Sequence, residues 1–147
     1  MLYKDLHISW EDLHRDVRAL ATQLRSENLK NKVWKGIVVV TRGGLIPACL
    51  LSKELGIKLI DTFCISTYDH QDKGKSEVLK KPEIENSKDW LVVDDLVDTG
   101  QTFRVIRESL PDAHYACVYA KPEGIDATDI FVSEVSQDTW IHFPWDQ

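Results

Sequence analysis

The stretch that most constrains this chain is Leu91-Val92-Val93-Asp94-Asp95-Leu96-Val97-Asp98-Thr99-Gly100-Gln101-Thr102. It begins as a short aliphatic run without polar alternation, which reads as a strand buried on both faces. Such a strand needs helices above and below it, which implies a layered α/β sheet. The run passes into three carboxylates, a glycine and two threonines, and a helix opens at Thr102. Asp94 and Asp95, at the carboxyl end of the strand, can reach sugar hydroxyls or a hydrated Mg²⁺, which prefers hard oxygen ligands and retains several waters. Thr99-Gly100-Gln101-Thr102 offers consecutive backbone N–H groups and hydroxyls at a helix N-terminus, an anion cradle. Ligands of open α/β sheets bind along this edge. The competing readings of the acid pair are a receiver-type metal site, or an Asx-turn with a helix cap.

The rest of the chain alternates in the same way. Ser9 is an N-cap with Asp12 in the capping-box position. Trp10, Leu13, Val17, Leu20, Ala21 and Leu24 follow at helical spacing. Ser26 to Trp34 is a polar connection. Ile37 to Val40 is a second doubly buried strand, followed by Thr41-Arg42-Gly43-Gly44 and a helix from about Leu45 to Leu55, with Gly56 as its C-terminal cap. Lys58 to Ser66 is a strand. Tyr68 to Ser87 is long, charged and polar, the composition of a lid or a disordered connection. A helix from Thr102 to Leu110 stops at Pro111, and His114 to Ala120 is a further apolar strand. Lys121-Pro122-Glu123-Gly124 is a turn, and Phe131 to Val135 a short strand. The segment from Gln137 to Gln147 carries Trp140, Phe143 and Trp145 and is too aromatic to be loose chain. The expected architecture is one α/β domain, residues 1–147, with a mainly parallel central sheet flanked by helices.

Charge narrows the partners. Eighteen basic against 24 acidic side chains give a formal charge of −6, which disfavours broad nucleic-acid binding. No stretch is long and apolar enough to span a bilayer, and the first residues lack a signal-peptide pattern, so a cytoplasmic location is expected. Cys49, Cys64 and Cys117 are scattered through apolar elements, which reads as small core residues in a reducing compartment. The five histidines show no metal-ligand spacing.

Arg42-Gly43-Gly44 supplies a second anion loop on the same edge. Glycine allows close backbone approach, and the arginine adds a planar fork suited to phosphate or pyrophosphate. Two such loops can hold the two ends of a doubly phosphorylated sugar.

With Asp98-Thr99-Gly100-x-Thr102 after the acid pair, the stretch resembles the phosphoribosyl-diphosphate signature of type I phosphoribosyltransferases. Over nearly its whole length the chain resembles the bacterial xanthine–guanine group of that family. The resemblance is carried by Ser9-Trp10, Thr41-Arg42-Gly43-Gly44-Leu45, Glu54-Leu55-Gly56-Ile57 and Cys64-Ile65-Ser66-Thr67-Tyr68-Asp69-His70. It continues through Val93 to Gly100, Tyr119-Ala120-Lys121-Pro122 and Gln137-Asp138-Thr139-Trp140-Ile141.

The resemblance implies a type I phosphoribosyltransferase fold with a small base-binding hood. It implies transfer of ribose 5-phosphate from phosphoribosyl diphosphate to guanine or xanthine, and more weakly to hypoxanthine, with Mg²⁺ as cofactor. Arg42 and Gly43 match the pyrophosphate loop. Asp94, Asp95, Leu96, Val97, Asp98, Thr99, Gly100, Gln101 and Thr102 match the ribose 5′-phosphate loop. Asp95 matches the metal-associated acid, Asp98 the acid beside the five-membered ring, and Lys121 the contact to the 6-oxo group. Trp140 matches the stacking aromatic, and Ile141 the backbone contact to the base edge. Family members are homo-oligomers, tetramers among them, and can associate peripherally with the inner membrane. Three departures stand out. Gln101 replaces a loop glycine, the family's loop arginine falls on Gly74 between Lys73 and Lys75, and family chains run on past Pro144-Trp145-Asp146. Two rival classes are a nucleic-acid-binding regulator on the same fold and a receiver domain. The acidic charge and intact Asp98 oppose the first; the second needs an acid where Thr41-Arg42 stands.

Overall fold

The computed structural model describes residues 3–26, 31–67 and 76–146. In chain order the elements are β1 (Lys4–His7), α1 (Trp10–Leu24), β2 (Gly36–Thr41), α2 (Leu45–Leu55), β3 (Ile60–Thr67) and β4 (Ser76–Lys80). Then come β5 (Trp90–Val97), α3 (Gln101–Ser109), β6 (His114–Ala120), β7 (Ser133–Glu134) and β8 (Thr139–His142). Short 3₁₀ turns follow β6 at Pro122–Ala127 and β8 at Pro144–Asp146.

Six strands form one sheet in the order β4-β3-β2-β5-β6-β7. All neighbours are parallel except β3 with β4. Period-two alternation divides the central strands between two cores. Ile37, Val39, Leu91, Val93, Ala116 and Val118 face α1 and α2. Val38, Val40, Val92, Phe103, Ile106, Tyr115 and Cys117 form the core on the α3 side. That division explains why the runs carry no polar alternation: each face meets a helix.

The first helix follows its pattern closely. Ser9 Oγ accepts from the Asp12 N–H and Asp12 returns the bond to the Ser9 N–H, closing a capping box. Leu13, Val17, Leu20, Ala21 and Leu24 are buried along one stripe. Trp10 departs from the expected stripe. It is 54% exposed and packs its ring 6.2 Å from that of Trp145, which stacks on Phe143. The aromatic C-terminal segment therefore lies against the start of α1.

Several elements differ from the sequence reading. The organising strand runs to Val97, because Leu96 and Val97 continue the ladder against Tyr119 and Ala120 of β6. The expected lid contains β4, a polar, mostly exposed edge strand paired antiparallel to β3. Residues 68–75 of that stretch, with Lys73, Gly74 and Lys75, lie outside the described residues. Cys49 is exposed rather than in the core, while Cys117 is buried. The end segments form a separate parallel pair, β1 with β8, in which Asp5 faces Trp140 and Leu6 faces Ile141. This small second sheet corresponds to the expected hood.

A part-buried bond ties α1 to the sheet. The Tyr119 hydroxyl donates to Asp16 Oδ2 at 2.5 Å. Burial and the neighbouring Asp16 raise the phenol's pKa far above its ordinary value. Tyr119→Phe leaves Asp16, only 13% exposed, without that donor. The expected cost is about 1–3 kcal/mol, read as a lower urea midpoint with unchanged catalysis. An unchanged midpoint would show that the bond contributes nothing.

Candidate active site

The connection leaving β2 leads to β3 on one side, and that leaving β5 leads to β6 on the other. β2 and β5 are adjacent and parallel, with Val39 opposite Val93. Their carboxyl ends thus form a switch point, where diverging loops leave a crevice. The two loops expected to hold anions leave from these strand ends.

The loop after β2 sits tightly against the acids after β5. A methyl group on Gly43 would lie 2.5 Å from Asp95 Oδ2 and 2.7 Å from Oδ1; one on Gly44 would lie 2.6 Å from the Val93 carbonyl oxygen. Only glycine permits this approach. The Thr41–Arg42 peptide is cis, and Arg42 is exposed at the rim.

Asp94 is buried and Asp95 half-buried. Asp94 Oδ1 accepts from the Asp95 N–H at 2.8 Å. Burial, then the charge of Asp95, pushes the Asp94 carboxyl well above its usual range, and burial raises Asp95 as well. Two carboxyl groups sharing a dry pocket favour a cation or a proton beside them.

Beyond them, Gly100 takes a left-handed conformation, φ 88°, at the N-cap of α3. Gln101 is the first helical residue of α3, one position before the expected start at Thr102. Arg104 Nη1 donates to the Thr99 carbonyl at 2.8 Å, which adds a cation to this loop.

The other half of the site is assembled from β6 and the hood. The Lys121 N–H donates to the Val97 carbonyl at 2.9 Å. Its side chain is 3% exposed, with Nζ 3.4 Å from Asp98 Oδ2. Lys121 Nζ also lies 6.0 Å from the Tyr3 ring, whose centroid is 5.5 Å from that of Trp140 in an edge-to-face arrangement. Alternation along β8 buries Thr139 and Ile141 and turns Trp140 outward, 47% exposed. Gln137 Nε2 donates to Asp98 Oδ1 at 2.7 Å, and its Oε1 accepts from the Glu123 N–H at 3.0 Å.

The phosphoribosyl transferase domain family matches residues 9–147. A xanthine–guanine phosphoribosyltransferase from Chromohalobacter salexigens is 51% identical over 144 residues, covering 98% of this chain and 85% of the relative. One from Desulfotalea psychrophila is 52% identical over 140 residues, covering 95% and 84%. The crystal structure of a purine phosphoribosyltransferase from Pyrococcus horikoshii superimposes with a TM-score of 0.75 at 30% identity, covering 97% of this chain and 95% of that one. The chain belongs to the phosphoribosyltransferase family.

In this phosphoribosyltransferase the residues expected from sequence follow strand ends: Arg42 and Gly43 come after β2, Asp94 to Thr102 span the end of β5 and the start of α3, Lys121 comes after β6, and Trp140 lies on β8 of the second sheet. Within that set Val97 is packed into the core rather than open to a ligand. The Ile141 side chain is anchored in the core. Tyr3, Arg104 and Gln137 went unassigned. Gln137 lies within a motif carrying the family resemblance, whereas Tyr3 has no local signal. Among the described residues no group of three or more His, Cys, Asp and Glu side chains could hold a metal ion. The acid pair nevertheless suits Mg²⁺, whose remaining ligands are ordinarily water and substrate oxygens.

The buried pair has a measurable cost. A carboxyl whose folded pKa exceeds its unfolded value of about 3.9 binds its proton more tightly when folded. Its penalty to stability grows as pH rises from the unfolded pKa through the folded one. Asp94→Asn keeps an acceptor for the Asp95 N–H and removes that penalty. The ligand-free variant should melt a few degrees above the parent at pH 8, with the gap narrowing toward pH 4. A gap independent of pH would place the penalty elsewhere.

Proposed function

We propose that this enzyme transfers ribose 5-phosphate from phosphoribosyl diphosphate to guanine or xanthine, and more weakly to hypoxanthine, giving the nucleoside monophosphate and pyrophosphate. The observation that carries this reading is the buried Lys121 ammonium beside the Asp98 carboxylate, linked through the Tyr3 ring to the outward Trp140, with the loops after β2 and β5 as candidate anion sites. A cation, a carboxylate and an aromatic face complement an oxopurine; the loops complement a doubly phosphorylated ribose.

In the reaction the base's N9 bonds to C1′ of the ribose as the C1′–O bond to pyrophosphate breaks. Pyrophosphate leaves with the bonding electron pair. Charge at the anomeric carbon rises in an oxocarbenium-like transition state, as in glycoside chemistry. Arg42 and the Gly43 backbone receive the pyrophosphate, and Thr99 to Thr102 hold the 5′-phosphate. Asp94 and Asp95 order the ribose hydroxyls, and Asp95 with substrate oxygens would hold Mg²⁺. That ion, when bound, supplies neutralising charge for the leaving group. Asp98 accepts the proton released at the imidazole side of the base, help worth about 10²–10⁴ in rate. Positioning and fixed electrostatics supply the remainder.

Selectivity follows from Lys121. An ammonium has three donors and no acceptor, so it meets the 6-oxo group of guanine, xanthine or hypoxanthine and opposes the 6-amino group of adenine. A buried polar group left unpaired costs about 1–3 kcal/mol. Backbone groups at Trp140 and Ile141 would pair with the 2-substituent, which hypoxanthine lacks. By resemblance the enzyme works in the cytoplasm as a homo-oligomer, a tetramer in related enzymes. No described helix is long and apolar enough to cross a membrane.

A spectrophotometric assay of four purines with phosphoribosyl diphosphate, with and without Mg²⁺, tests this reading. Guanine and xanthine should lead, hypoxanthine follow and adenine fail. Adenine turnover equal to that of guanine, or the highest kcat/KM for hypoxanthine, would overturn it. Asp98→Asn should lower kcat by about tenfold to a thousandfold while phosphoribosyl diphosphate still binds. Asp95→Ala should raise the Mg²⁺ requirement; an unaltered titration removes it from the metal site. Trp140→Ala should cost all three oxopurines about 1–3 kcal/mol, because stacking is blind to the substituent.

A further inference from the structure

We propose that Gln137 is the positioning residue of Asp98, the contact that keeps its carboxylate aimed while Lys121 is taken up by the base. The inference rests on the reading of Asp98 as proton acceptor and adds a residue to which that reading gives no role.

Asp98 needs such a contact. Its side chain is 56% exposed and follows the end of β5, where a free carboxylate turns readily in water. Two groups restrain it. Lys121 Nζ lies 3.4 Å from Oδ2, and Gln137 Nε2 lies 2.7 Å from Oδ1 and 3.4 Å from the Asp98 carbonyl oxygen. The shorter bond belongs to the amide.

The orientation of that amide is forced. Its oxygen accepts from the Glu123 N–H at 3.0 Å. A flipped amide would set oxygen against the carboxylate and an N–H₂ against an N–H, two repulsive contacts in place of two bonds. Gln137 therefore presents a donor to Asp98.

The two restraints differ in what happens when a base binds. Lys121 is the group assigned to the 6-oxo oxygen, so its ammonium is shared with the base. The reading of the site assigns Gln137 no base atom, so its amide is free to remain on Oδ1. The proton then has a fixed destination throughout the bond exchange. Gln137 also links three pieces of the pocket through one side chain: the end of β5, the turn after Lys121 that carries Glu123, and the segment leading into β8 with Trp140. Misplacing a reacting group by about 1 Å can cost about a hundredfold in rate.

The test is a double-mutant cycle on the full-length enzyme with guanine and phosphoribosyl diphosphate, using Gln137→Leu, Gln137→Glu and Asp98→Ala. Each Gln137 variant should lower kcat by about tenfold to a hundredfold, with KM for phosphoribosyl diphosphate changed less than about twofold. Gln137→Glu preserves length but not the donor, and it covers the case in which leucine disturbs the segment. In the Asp98→Ala background, Gln137→Leu should change kcat by less than about twofold. A purely structural residue would give the same factor in both backgrounds, which would overturn the proposal. Wild-type kcat in both Gln137 variants, with Asp98→Ala impaired, would overturn it alone. An Asp98→Ala enzyme with unchanged kcat would instead remove the proton role of Asp98, and this inference with it.

Discussion

The parallel pairing of β2 with β5 is the constraint on which the site depends. Both strands are buried on both faces, so a slip of one residue would exchange their two cores. The same register brings the turn at Gly43 onto the carboxylate of Asp95 with no room for a side chain. The turn after β2 and the pair of acids after β5 thereby become one surface. Their closeness has an electrostatic consequence: two carboxyl groups are held where water solvates them poorly, and a bound cation relieves that cost. The crevice is prepared for a positively charged companion by the same packing that stabilises the sheet.

Two scales of interaction build the remainder. The aliphatic layers are non-directional and contribute about 1.5–3 kcal/mol for each large side chain fully buried. They determine where strand ends fall. The polar contacts around Asp98 are directional and weaker, about 0.5–1.5 kcal/mol for an ordinary bond and more for a charged partner. They determine which atom faces the substrate. Lys121 belongs to both scales, with its stem buried and its ammonium at the pocket.

Much of this was legible in the chain because the informative residues are consecutive. Asp94 to Thr102 spans a strand end, a turn and a helix start, and local chemistry announces all three. The capping box at Ser9 and Asp12 is equally local. The aliphatic runs reveal doubly covered strands because nothing in them alternates. What escaped was non-local. Strands β1, β4 and β8 are short, polar or edge-exposed, and only their partners make them strands. Leu96 and Val97 read as part of a turn until β6 is seen beside them. Trp10 obeys helical spacing, yet its ring faces Trp145 rather than the sheet. Gln137 meets Asp98 across 39 positions of sequence, and no spacing rule joins an amide to a carboxylate so far away.

The pairing of β1 with β8 bears on the order in which the molecule is made. Among the described residues, 4–7 pair only with residues 139–142. On a ribosome the first of these emerges long before the second. The six-stranded sheet gains most of its strands during synthesis, while β1 waits unpaired until β8 has been made. Such a distant contact forms late, since the entropy of closing so long a loop must first be met. The nascent chain would thus acquire the sheet edge that carries Asp94 and Asp95 before the sheet that carries Trp140.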